Sequence, residues 1–279
     1  MSRLIASVII PTCNRKELLK KCLDALSADN QEVNSFEYEI IVSDDSKNNE
    51  TEKFITQDFP RIQYVKGPQK GPATNRNFGA TKATGEWLIF IDDDCIPEKT
   101  LLNSYINAFK KNEHQVFEGK IIADRERKYY TDEAPLNLNG GKMWSCNIAI
   151  NKKLFEQLNG FEENFPFAAM EDVELHYRIS QKNIPIIFLP DAAVIHPWRP
   201  HPGFSIISKR QKSLLYLIAK HPELKRKHNF KWFITSIKNN LALHFKFFKV
   251  KDIPFVTLRN FLMLLLYFKI LLLNPQHES

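Results

Sequence analysis

The sequence is poor in cysteine, and its few cysteines form no pattern. Its 279 residues include only four, which are widely separated: Cys13, Cys22, Cys95 and Cys146. None belongs to a CxxC pair, and a chain of this length can bury a core without disulfide staples. The spacing therefore argues against a disulfide scaffold and predicts reduced thiols, as in a cytoplasmic protein.

Long apolar segments are also scarce. The stretch MSRLIASVIIPT at residues 1–12 has too short an apolar run for a signal peptide, so we do not expect secretion. The last apolar run, residues 261–273, has 13 residues and contains Lys269. A membrane-spanning helix needs about 20 apolar residues, so the run predicts a segment that lies in the membrane interface rather than crossing it.

Motifs of two enzyme classes are missing as well. No GxGxxG follows a predicted strand, which excludes a dinucleotide-dependent oxidoreductase. A nucleotidyltransferase would be expected to carry a glycine-rich basic loop after the first strand, and the segment PTCNRKE found there is not such a loop. Nucleotidyl transfer is therefore kept only as an alternative function. There is no internal repeat and no low-complexity segment.

What the sequence does have is a marked charge asymmetry. The net charge is +7, but residues 205–279 carry 14 Lys and Arg against 3 Asp and Glu, or +11. Residues 1–204 carry 25 against 29, or −4. An acidic body followed by a basic segment indicates two parts with different roles, and the basic part needs an anionic partner. A membrane surface, a nucleic acid or an acidic protein would each satisfy that requirement, although nothing else supports nucleic acid.

Short apolar runs alternate with amphipathic stretches. Buried strands are predicted at residues 6–12, 38–46, 62–67, 86–94, 143–150, 184–190 and 192–197. Helices are predicted after Asn14, which would cap the first helix together with Glu17, and at residues 51–59, 73–84 and 169–182. Residues 120–142 are predicted to form a loop. The alternation predicts an α/β fold with a sheet flanked by helices on both faces.

Polar clusters follow three of the predicted strands. They are Thr12–Arg15, Asp44–Ser46 and Asp92–Asp94. In sheets of this type the ligand lies beyond the carboxyl ends of the strands, so the three clusters are expected to converge on one site.

Three consecutive aspartates end the fourth strand. Carboxylates this close repel one another unless a cation neutralises them, and all-oxygen ligation suits Mg²⁺ or Mn²⁺. Because alternate residues of an extended chain point the same way, Asp92 and Asp94 can face one ligand while Asp93 faces elsewhere. The alternative is a solvated acidic turn.

Two further segments are candidates for binding a nucleotide. Asp44 and Asp45 end a strand and can accept a hydrogen bond from a base imide or a ribose hydroxyl; the alternative is ordinary turn chemistry. Arg76, near the start of a helix, presents the planar donor fork that suits a diphosphate; the alternative is a surface arginine.

Candidates for the other half of the site come later in the chain. Glu171 and Asp172 begin a helix after an apolar stretch and can supply a general base, or can simply cap that helix. His196 can be a third metal ligand or a core histidine, and Trp144 and Trp198 can stack on a sugar or belong to the core.

Together these residues resemble a family 2 glycosyltransferase, a family with the GT-A fold. The resemblance covers about residues 4–200 and rests on the order and spacing of five segments: VIIPTCNR, VSDDS, GPATNRNFGA, FIDDDCIP and NGFEENFPFAAMEDVELHYRI. It implies a Rossmann-like mixed sheet flanked by helices, with a nucleotide-sugar half at about 1–97 and an acceptor half at about 98–204. Residues 205–279 would then form a basic, amphipathic helical appendage.

The resemblance also implies roles for the candidate residues. The nucleotide-sugar contacts would be Pro11, Thr12, Asn14, Arg15, Asp44, Asp45, Arg76, Asp92 and Asp93. The metal ligands would be Asp94, Asp92 and His196, the catalytic residues Asp172 and its neighbour Glu171, and the acceptor contacts Trp144 and Trp198. Mn²⁺ or Mg²⁺ would be the cofactor, and the donor would be a UDP-sugar in preference to one of dTDP or GDP.

The resemblance also implies an inverting mechanism, in which a base removes the acceptor proton during a single displacement. Two departures matter. Ser46 stands where a small glycine usually follows the aspartate pair, which bears on the base-binding details. The chain also lacks a QxxRW motif, which argues against a processive polysaccharide synthase.

The basic segment predicts where the protein acts. Aromatic and aliphatic residues are interleaved with lysines in residues 231–251, a composition that favours the surface of an anionic membrane. The hypothesis is a peripheral enzyme at the cytoplasmic face of the cell membrane, acting on a lipid-linked or surface glycan. The alternatives are a helical appendage packed on the catalytic domain and a membrane-associated binding protein on a non-catalytic scaffold.

Overall fold

The computed structural model of the protein describes residues 4–200 and 203–273. The chain divides into two compact units. The first comprises Met1–Asp124, Ala134–Glu163 and Glu171–Pro197, and the second comprises Arg125–Glu133, Asn164–Met170 and Trp198–Ser279.

Strands and helices alternate along the first unit. In chain order the strands β1–β10 are Ala6–Thr12, Tyr38–Asp44, Gln63–Lys66, Trp87–Ile91, Ile96–Pro97, Val116–Ala123, Asp132–Glu133, Asn147–Asn151, Ile186–His196 and Arg199–Pro200. The helices α1–α10 are Lys16–Ala25, Ala28–Gln31, Glu50–Asp58, Pro72–Lys82, Leu101–Lys111, Lys152–Gln157, Glu171–Gln181, Phe204–Lys220, Phe230–Lys246 and Ile253–Leu272. Two 3₁₀ turns, Pro222–His228 and Val250–Asp252, lie between the last three helices.

The first unit is built on an eight-stranded mixed sheet with the order β3-β2-β1-β4-β8-β6-β9-β5. Strands β3, β2, β1 and β4 are parallel, so their carboxyl ends share one edge. Strand β8 runs antiparallel to both β4 and β6, and β5 antiparallel to β9. The mixed sheet with flanking helices agrees with the predicted fold class.

Two hydrophobic clusters cover the two faces of this sheet. Val8 and Ile10 of β1 join the cluster formed with α1 and α5, whereas Ile9 joins the cluster formed with α4, α6 and α7. The alternation follows from the two-residue period of a strand, and it explains why β1 reads as an uninterrupted apolar run.

Strand β9 replaces two predicted strands, at 184–190 and 192–197. It pairs with β6 in two registers, Val116–Gly119 with Ile186–Leu189 and then Lys120–Ala123 with Ala193–His196. The register slips by three residues at a bulge, which moves the inward-facing positions from Ile187 and Leu189 to Ala192 and Val194. The sequence prediction divided the strand because Pro190 and Asp191 interrupt its apolar pattern.

Two local predictions are wrong. Asn14 does not cap α1: the helix starts at Lys16, and Asn14 has φ 54° with its N–H donating to Ser46 Oγ at 2.7 Å. Its turn therefore ties the end of β1 to the segment after β2. The loop predicted at 120–142 begins inside β6 and contains β7. Helices α5 and α6 and strand β6 were not predicted at all.

The second unit is mainly helical. Leu266 and Ile270 of α10 pack with Ile218 of α8 in a small buried cluster. Lys225 Nζ donates to the carbonyls of Leu271 and Leu273 at 3.0 and 2.8 Å, which satisfies orphan acceptors at the end of α10. The C-terminal helical appendage predicted from the sequence is therefore present.

Helix α10 is longer than the apolar run that predicts it. It has 20 residues and a mean hydropathy of 1.8, and 17% of its most apolar window is buried. By length and composition it could cross a membrane, so the expectation that this segment is too short is wrong, because the helix already starts at Ile253. A single helix of this kind is weak evidence for a span.

The sheet core gives a stability prediction. Phe90 is fully buried and its ring lies 5.2 Å from that of Phe155 and 5.1 Å from that of Phe161. We expect Phe90→Ala to lower the free energy of unfolding by about 3–5 kcal/mol, because it leaves a cavity in a close-packed face. Chemical denaturation would measure the loss. Phe36→Ala, at a side chain 53% exposed, is the control and should stay close to the parent protein.

Candidate active site

The three predicted polar clusters lie at one edge of the sheet. Thr12 and Asp44 are register partners at the ends of β1 and β2, and Asp92 follows Ile91 at the end of the neighbouring β4. The Asp45 N–H donates to the Thr12 carbonyl at 2.9 Å, which continues the pairing past the strand ends. Parallel pairing alone thus brings together residues that are up to 80 positions apart in the sequence.

Asp93 points into the protein and joins the aspartates to β1. Its two carboxylate oxygens accept hydrogen bonds from Thr12 Oγ1 at 2.8 Å and from Arg15 Nη1 at 3.0 Å. The same Arg15 nitrogen lies 3.9 Å from Asp94 Oδ2. Burial raises the pKa of Asp93, and the Arg15 charge opposes that rise. Asp93 therefore holds the aspartates against β1 through Thr12 and Arg15.

Arg76 is the central cation of the edge. Helix α4 begins at Pro72 after Gly71, whose φ is +101°, and carries Arg76 in its second turn. The guanidinium is 4% exposed, with Nη2 2.5 Å from Asp92 Oδ1 and Nη1 3.6 Å from Glu171 Oε1. Burial lowers the pKa of Arg76, but Asp92 and Glu171 outweigh burial and raise it. The arginine is therefore charged, and it links the aspartates to α7.

Asp94 faces His196, which ends β9. His196 Nε2 lies 3.6 Å from Asp94 Oδ1, and both side chains are buried. His196 Nδ1 lies 2.8 Å from the Pro197 carbonyl, which can only accept, so Nδ1 carries the proton. Burial lowers the pKa of His196 and favours the neutral ring. The Nε2 lone pair then faces a carboxylate, an arrangement that a cation between the two would stabilise.

Cys95 also has a possible ligand atom near this pair. One donor atom from each of Asp94, Cys95 and His196 lies within 4.8 Å of the others. The Cys95 thiol lies 3.8 Å from the Cys146 carbonyl, and its interaction with Cys146 and its burial raise its pKa well above the ordinary range. Cys95 is therefore a neutral thiol, which leaves the aspartates and the neutral His196 as the better candidate ligands.

Asp172 and Glu171 open α7 on the other side of Arg76. Asp172 Oδ2 accepts from the Ser145 N–H at 3.3 Å, and Oδ1 accepts from the Val173 N–H at 2.8 Å. Burial raises the pKa of both carboxyls, and Arg76 opposes the rise. A half-buried carboxylate with a raised pKa suits a general base.

The carboxylates of Asp44 and Asp45 bind the chain itself. Asp44 is fully buried; one of its oxygens accepts from the Ser46 N–H at 2.9 Å and from the Ser46 hydroxyl, and the other accepts from the Tyr64 hydroxyl at 3.2 Å. Asp45 accepts from the N–H groups of Gln69 and Gly71, at 2.9 and 3.1 Å. Asp45 thereby fixes the turn that leads into α4 and Arg76.

The remaining predicted residues are those at the end of β1 and the two tryptophans. Pro11, in β1, is buried opposite Ser43, and Asn14 and Arg15 lie at the same strand end. Trp144, half-buried in the first unit, donates its indole N–H to the Leu136 carbonyl at 3.4 Å. Trp198 belongs to the second unit, where its indole N–H donates to the Arg125 carbonyl at 2.7 Å and the Arg127 guanidinium lies 4.8 Å from its ring.

Several residues that hold the site were not predicted. Asn75 Nδ2 donates to the carbonyls of Ser43 and Thr12 at 2.8 and 3.4 Å, and so joins the ends of β2 and β1. Ser145, whose N–H contacts Asp172, was also missed. The position of Asn75 beside Arg76 was the one available signal. Asn75 binds backbone carbonyls and Ser145 acts through its own backbone N–H, and no sequence motif specifies either contact.

The chain is similar to known glycosyltransferases in sequence and in fold. The profile of glycosyl transferase family 2 matches residues 7–167. Validoxylamine A glucosyltransferase of Streptomyces hygroscopicus subsp. jinggangensis is 24% identical over 262 residues, covering 79% of this chain. The match spans 62% of that relative's length.

Two solved structures share the fold. Staphylococcus aureus TarS residues 1–349, in complex with UDP-GlcNAc, align with a TM-score of 0.59 and 19% identity, covering 95% of this chain and 81% of that one. The mannosyltransferase PcManGT of Pyrobaculum calidifontis, in complex with GDP-Man and Mn²⁺, aligns with a TM-score of 0.58 and 17% identity, covering 97% and 86%. With the profile match over more than half of its length and this GT-A fold, the chain belongs to glycosyl transferase family 2.

Proposed function

We propose that the protein is a metal-dependent, inverting glycosyltransferase that moves a sugar from a nucleotide diphosphate donor to an acceptor hydroxyl. The observation that carries the proposal is the convergence at one sheet edge of an aspartate cluster with a facing histidine, a buried arginine and a half-buried carboxylate. These groups match the three needs of the reaction, which are to hold the diphosphate, to stabilise its departure and to remove a proton.

The residues present fit a divalent cation. Asp92, Asp94 and His196 would hold it, with Mn²⁺ or Mg²⁺ as the ion, because carboxylate oxygens with at most one imidazole suit either. The proton on His196 Nδ1 leaves Nε2 free to ligate, and the nearby Asp94 supplies negative charge. When bound, the ion would neutralise negative charge on the diphosphate leaving group.

Arg76 would share that task. Its Nη2 is engaged by Asp92, but Nε has no hydrogen-bond acceptor among residues 4–200 and 203–273. A buried, charged guanidinium with unused donor capacity suits an incoming phosphate oxygen. The Asp92 and Glu171 carboxylates hold the group in place before the donor arrives, so little reorganisation is needed.

Asp172 would act as the general base. As the acceptor oxygen forms its bond to the anomeric carbon, the bond from that carbon to the diphosphate oxygen breaks and the acceptor proton passes to Asp172. The nucleoside diphosphate leaves with the bonding electrons. One displacement inverts the anomeric configuration without a covalent enzyme intermediate, and Glu171 remains the partner of Arg76.

The donor we propose is a UDP-sugar. The TarS complex with UDP-GlcNAc supports this choice, whereas the PcManGT complex with GDP-Man shows that the fold also serves another base. Thr12, Asn14, Arg15 and the Asp44–Asp45 pair would surround the nucleotide, with Pro11 beneath it. Asp44 accepts hydrogen bonds from Ser46 and Tyr64, and it would have to give up one of them to bind the nucleotide base.

We propose that different segments of the chain bind the donor, the acceptor and the membrane. Residues 1–97 would bind the donor, residues 98–204 the acceptor with Trp144 as a contact, and residues 205–279 the membrane. The acceptor would be a lipid-linked or surface glycan, reached from the cytoplasmic face of the cell membrane.

The exposed face of α10 supports a membrane partner. One stripe along residues 258–272 consists of apolar side chains that are at least one-third exposed: Leu258, Phe261, Leu264, Leu265, Phe268, Leu271 and Leu272. The side chains of Phe245, Phe248 and Val250, which precede the helix, and of Ile253, its first residue, are also exposed. The stripe lies in a segment of net charge +11, so an anionic bilayer satisfies both its apolar and its basic character.

The metal site gives the first prediction. We expect Asp94→Asn and His196→Gln each to weaken Mn²⁺ binding at least about tenfold, because each removes a ligand from a small set. Calorimetric titration with Mn²⁺ alone would measure this. Asp24→Asn changes the charge equally at an exposed ion pair with Lys20 and should bind as the parent does. Equal binding by all four proteins would contradict the assignment.

The base gives the second prediction. Asp172→Asn should bind a UDP-sugar within about twofold of the parent but turn over about 10²–10⁴ times more slowly, as expected when a general base is lost. Screening UDP-, GDP- and dTDP-sugars with Mn²⁺ identifies the donor. Unimpaired turnover by the variant would refute the role. Binding without turnover in the parent protein would instead favour the non-catalytic binding protein.

The apolar stripe gives the third prediction. Phe261→Asp combined with Phe268→Asp should reduce binding to phosphatidylglycerol vesicles at least about tenfold, because two large side chains no longer insert. Vesicle co-sedimentation of the full chain measures this, with Phe36→Asp as the matched control in the first unit. Failure of the parent protein to bind such vesicles at low salt would contradict the proposal. Loss of a dimer without loss of vesicle binding would assign the stripe to a second copy.

A further inference from the structure

A carboxylate outside the reacting groups is enclosed by the loop before β8. Glu118, in β6, is 3% exposed. Its Oε2 accepts from the N–H groups of Lys142 and Met143 at 2.9 and 2.7 Å, and its Oε1 accepts from the Gly141 N–H. Three consecutive backbone donors thus converge on one carboxylate, as in a backbone nest for an anion.

The loop sequence is suited to this turn. Gly140 and Gly141 have φ of +83° and +82°, a region that glycine adopts without a steric cost. A Cβ on Gly140 would lie 2.9 Å from Phe188 Cβ and 3.1 Å from Glu118 Oε1. The loop therefore approaches both the sheet and the carboxylate too closely for a larger residue.

Asn137 fastens the other end of the same loop. Its Nδ2 donates to Glu118 Oε2 at 3.0 Å and to the Gly119 carbonyl at 3.1 Å. Its backbone forms a two-way bridge with Ile121. The segment from Asn137 to Met143 is thus held at both ends by β6, and the Glu118 carboxylate accepts hydrogen bonds from both ends of it.

The loop leads directly to the proposed base. Trp144 and Ser145 follow Met143, and the Ser145 N–H donates to Asp172 Oδ2 at 3.3 Å. The Trp144 carbonyl accepts from the Asn147 N–H at 3.0 Å, where β8 begins. The position of the Ser145 N–H is therefore set by Glu118 on one side and by the sheet on the other.

We propose that Glu118 is a positioning residue for sugar transfer, which holds the loop at residues 140–143 so that the Ser145 N–H is directed at the Asp172 carboxylate. The inference rests on the proposed function, since it assumes that Asp172 removes the acceptor proton. Glu118 itself touches no reacting atom. The loop also places Trp144, the proposed acceptor contact, so the same clamp serves acceptor binding.

The hydrogen bond has a direct effect on the base. Burial, the largest influence, raises the pKa of Asp172, whereas the Ser145 N–H, Arg76 and the Val173 N–H lower it and Asp92 raises it. Glu171 is the other carboxylate beside it along α7. Losing the Ser145 contact would leave burial less opposed, so the pKa would rise further. Because a general base must be deprotonated, the acidic limb of the rate profile would move to higher pH.

Glu118→Gln tests the inference because it keeps the side-chain shape while presenting an NH₂ to backbone donors. We expect kcat to fall about tenfold or more, the acceptor KM to rise, donor binding to stay within about twofold, and the acidic limb to move to higher pH. Glu39→Gln is the matched control. Glu39 likewise clamps a loop, accepting from Ser7 Oγ and from the N–H groups of Thr84 and Gly85, but away from α7.

The double variant separates this inference from the proposed function. If Glu118 acts through Asp172, Glu118→Gln should have little further effect on the residual rate of Asp172→Asn. Multiplicative effects in the double variant, or a kcat and pH profile equal to those of folded Glu39→Gln, would overturn the inference. If Asp172→Asn alone retained full turnover, the proposed function itself would fail. Donor binding measured on each variant confirms that it is folded.

Discussion

Neighbouring carboxylates repel one another, and the first unit gathers four of them at one sheet edge with the guanidinium groups of Arg15 and Arg76. Asp92 and Glu171 contact Arg76 directly, Asp93 is satisfied by Thr12 and Arg15, and Asp94 faces His196. This balance determines the rest of the site. Each negative group either has hydrogen-bond donors or a cationic partner of its own or faces a buried histidine, and the edge we propose for a metal ion and a diphosphate is held by these contacts.

The sheet makes this arrangement possible at little cost. Parallel pairing of β1, β2 and β4 aligns their carboxyl ends, and their apolar interiors fix the register by packing on both faces. Polar residues at the ends therefore have positions as well defined as those of the core. Helices α4 and α7, which pack on the same face of the sheet, then add Arg76 and Asp172, so the chemistry is built on rigid elements rather than on long loops.

Residues that act through their side chains at strand ends could be predicted from the sequence. The aspartates after β4 and the acids at the end of β2 were visible because a continuous apolar run stops abruptly in front of them. Glu118, Asn75 and Ser145 could not be found in this way, since each contact involves a backbone group on one of its two sides, and only the folded chain brings those groups near. Asn14 was misread for the same reason: its local pattern fits a helix cap, but its backbone N–H bonds to Ser46.

The slip between β6 and β9 has a bearing on how relatives of this chain are compared. The slip is of three residues, an odd number, and it exchanges the two faces of β9 beyond Leu189. His196 lies on the same face as Val194 for that reason. A relative with a histidine at the matching position but one residue more or fewer in the bulge would direct the imidazole to the opposite side of the sheet. Among homologues, the length of this short segment is therefore as informative about where the imidazole points as the identity of the histidine itself.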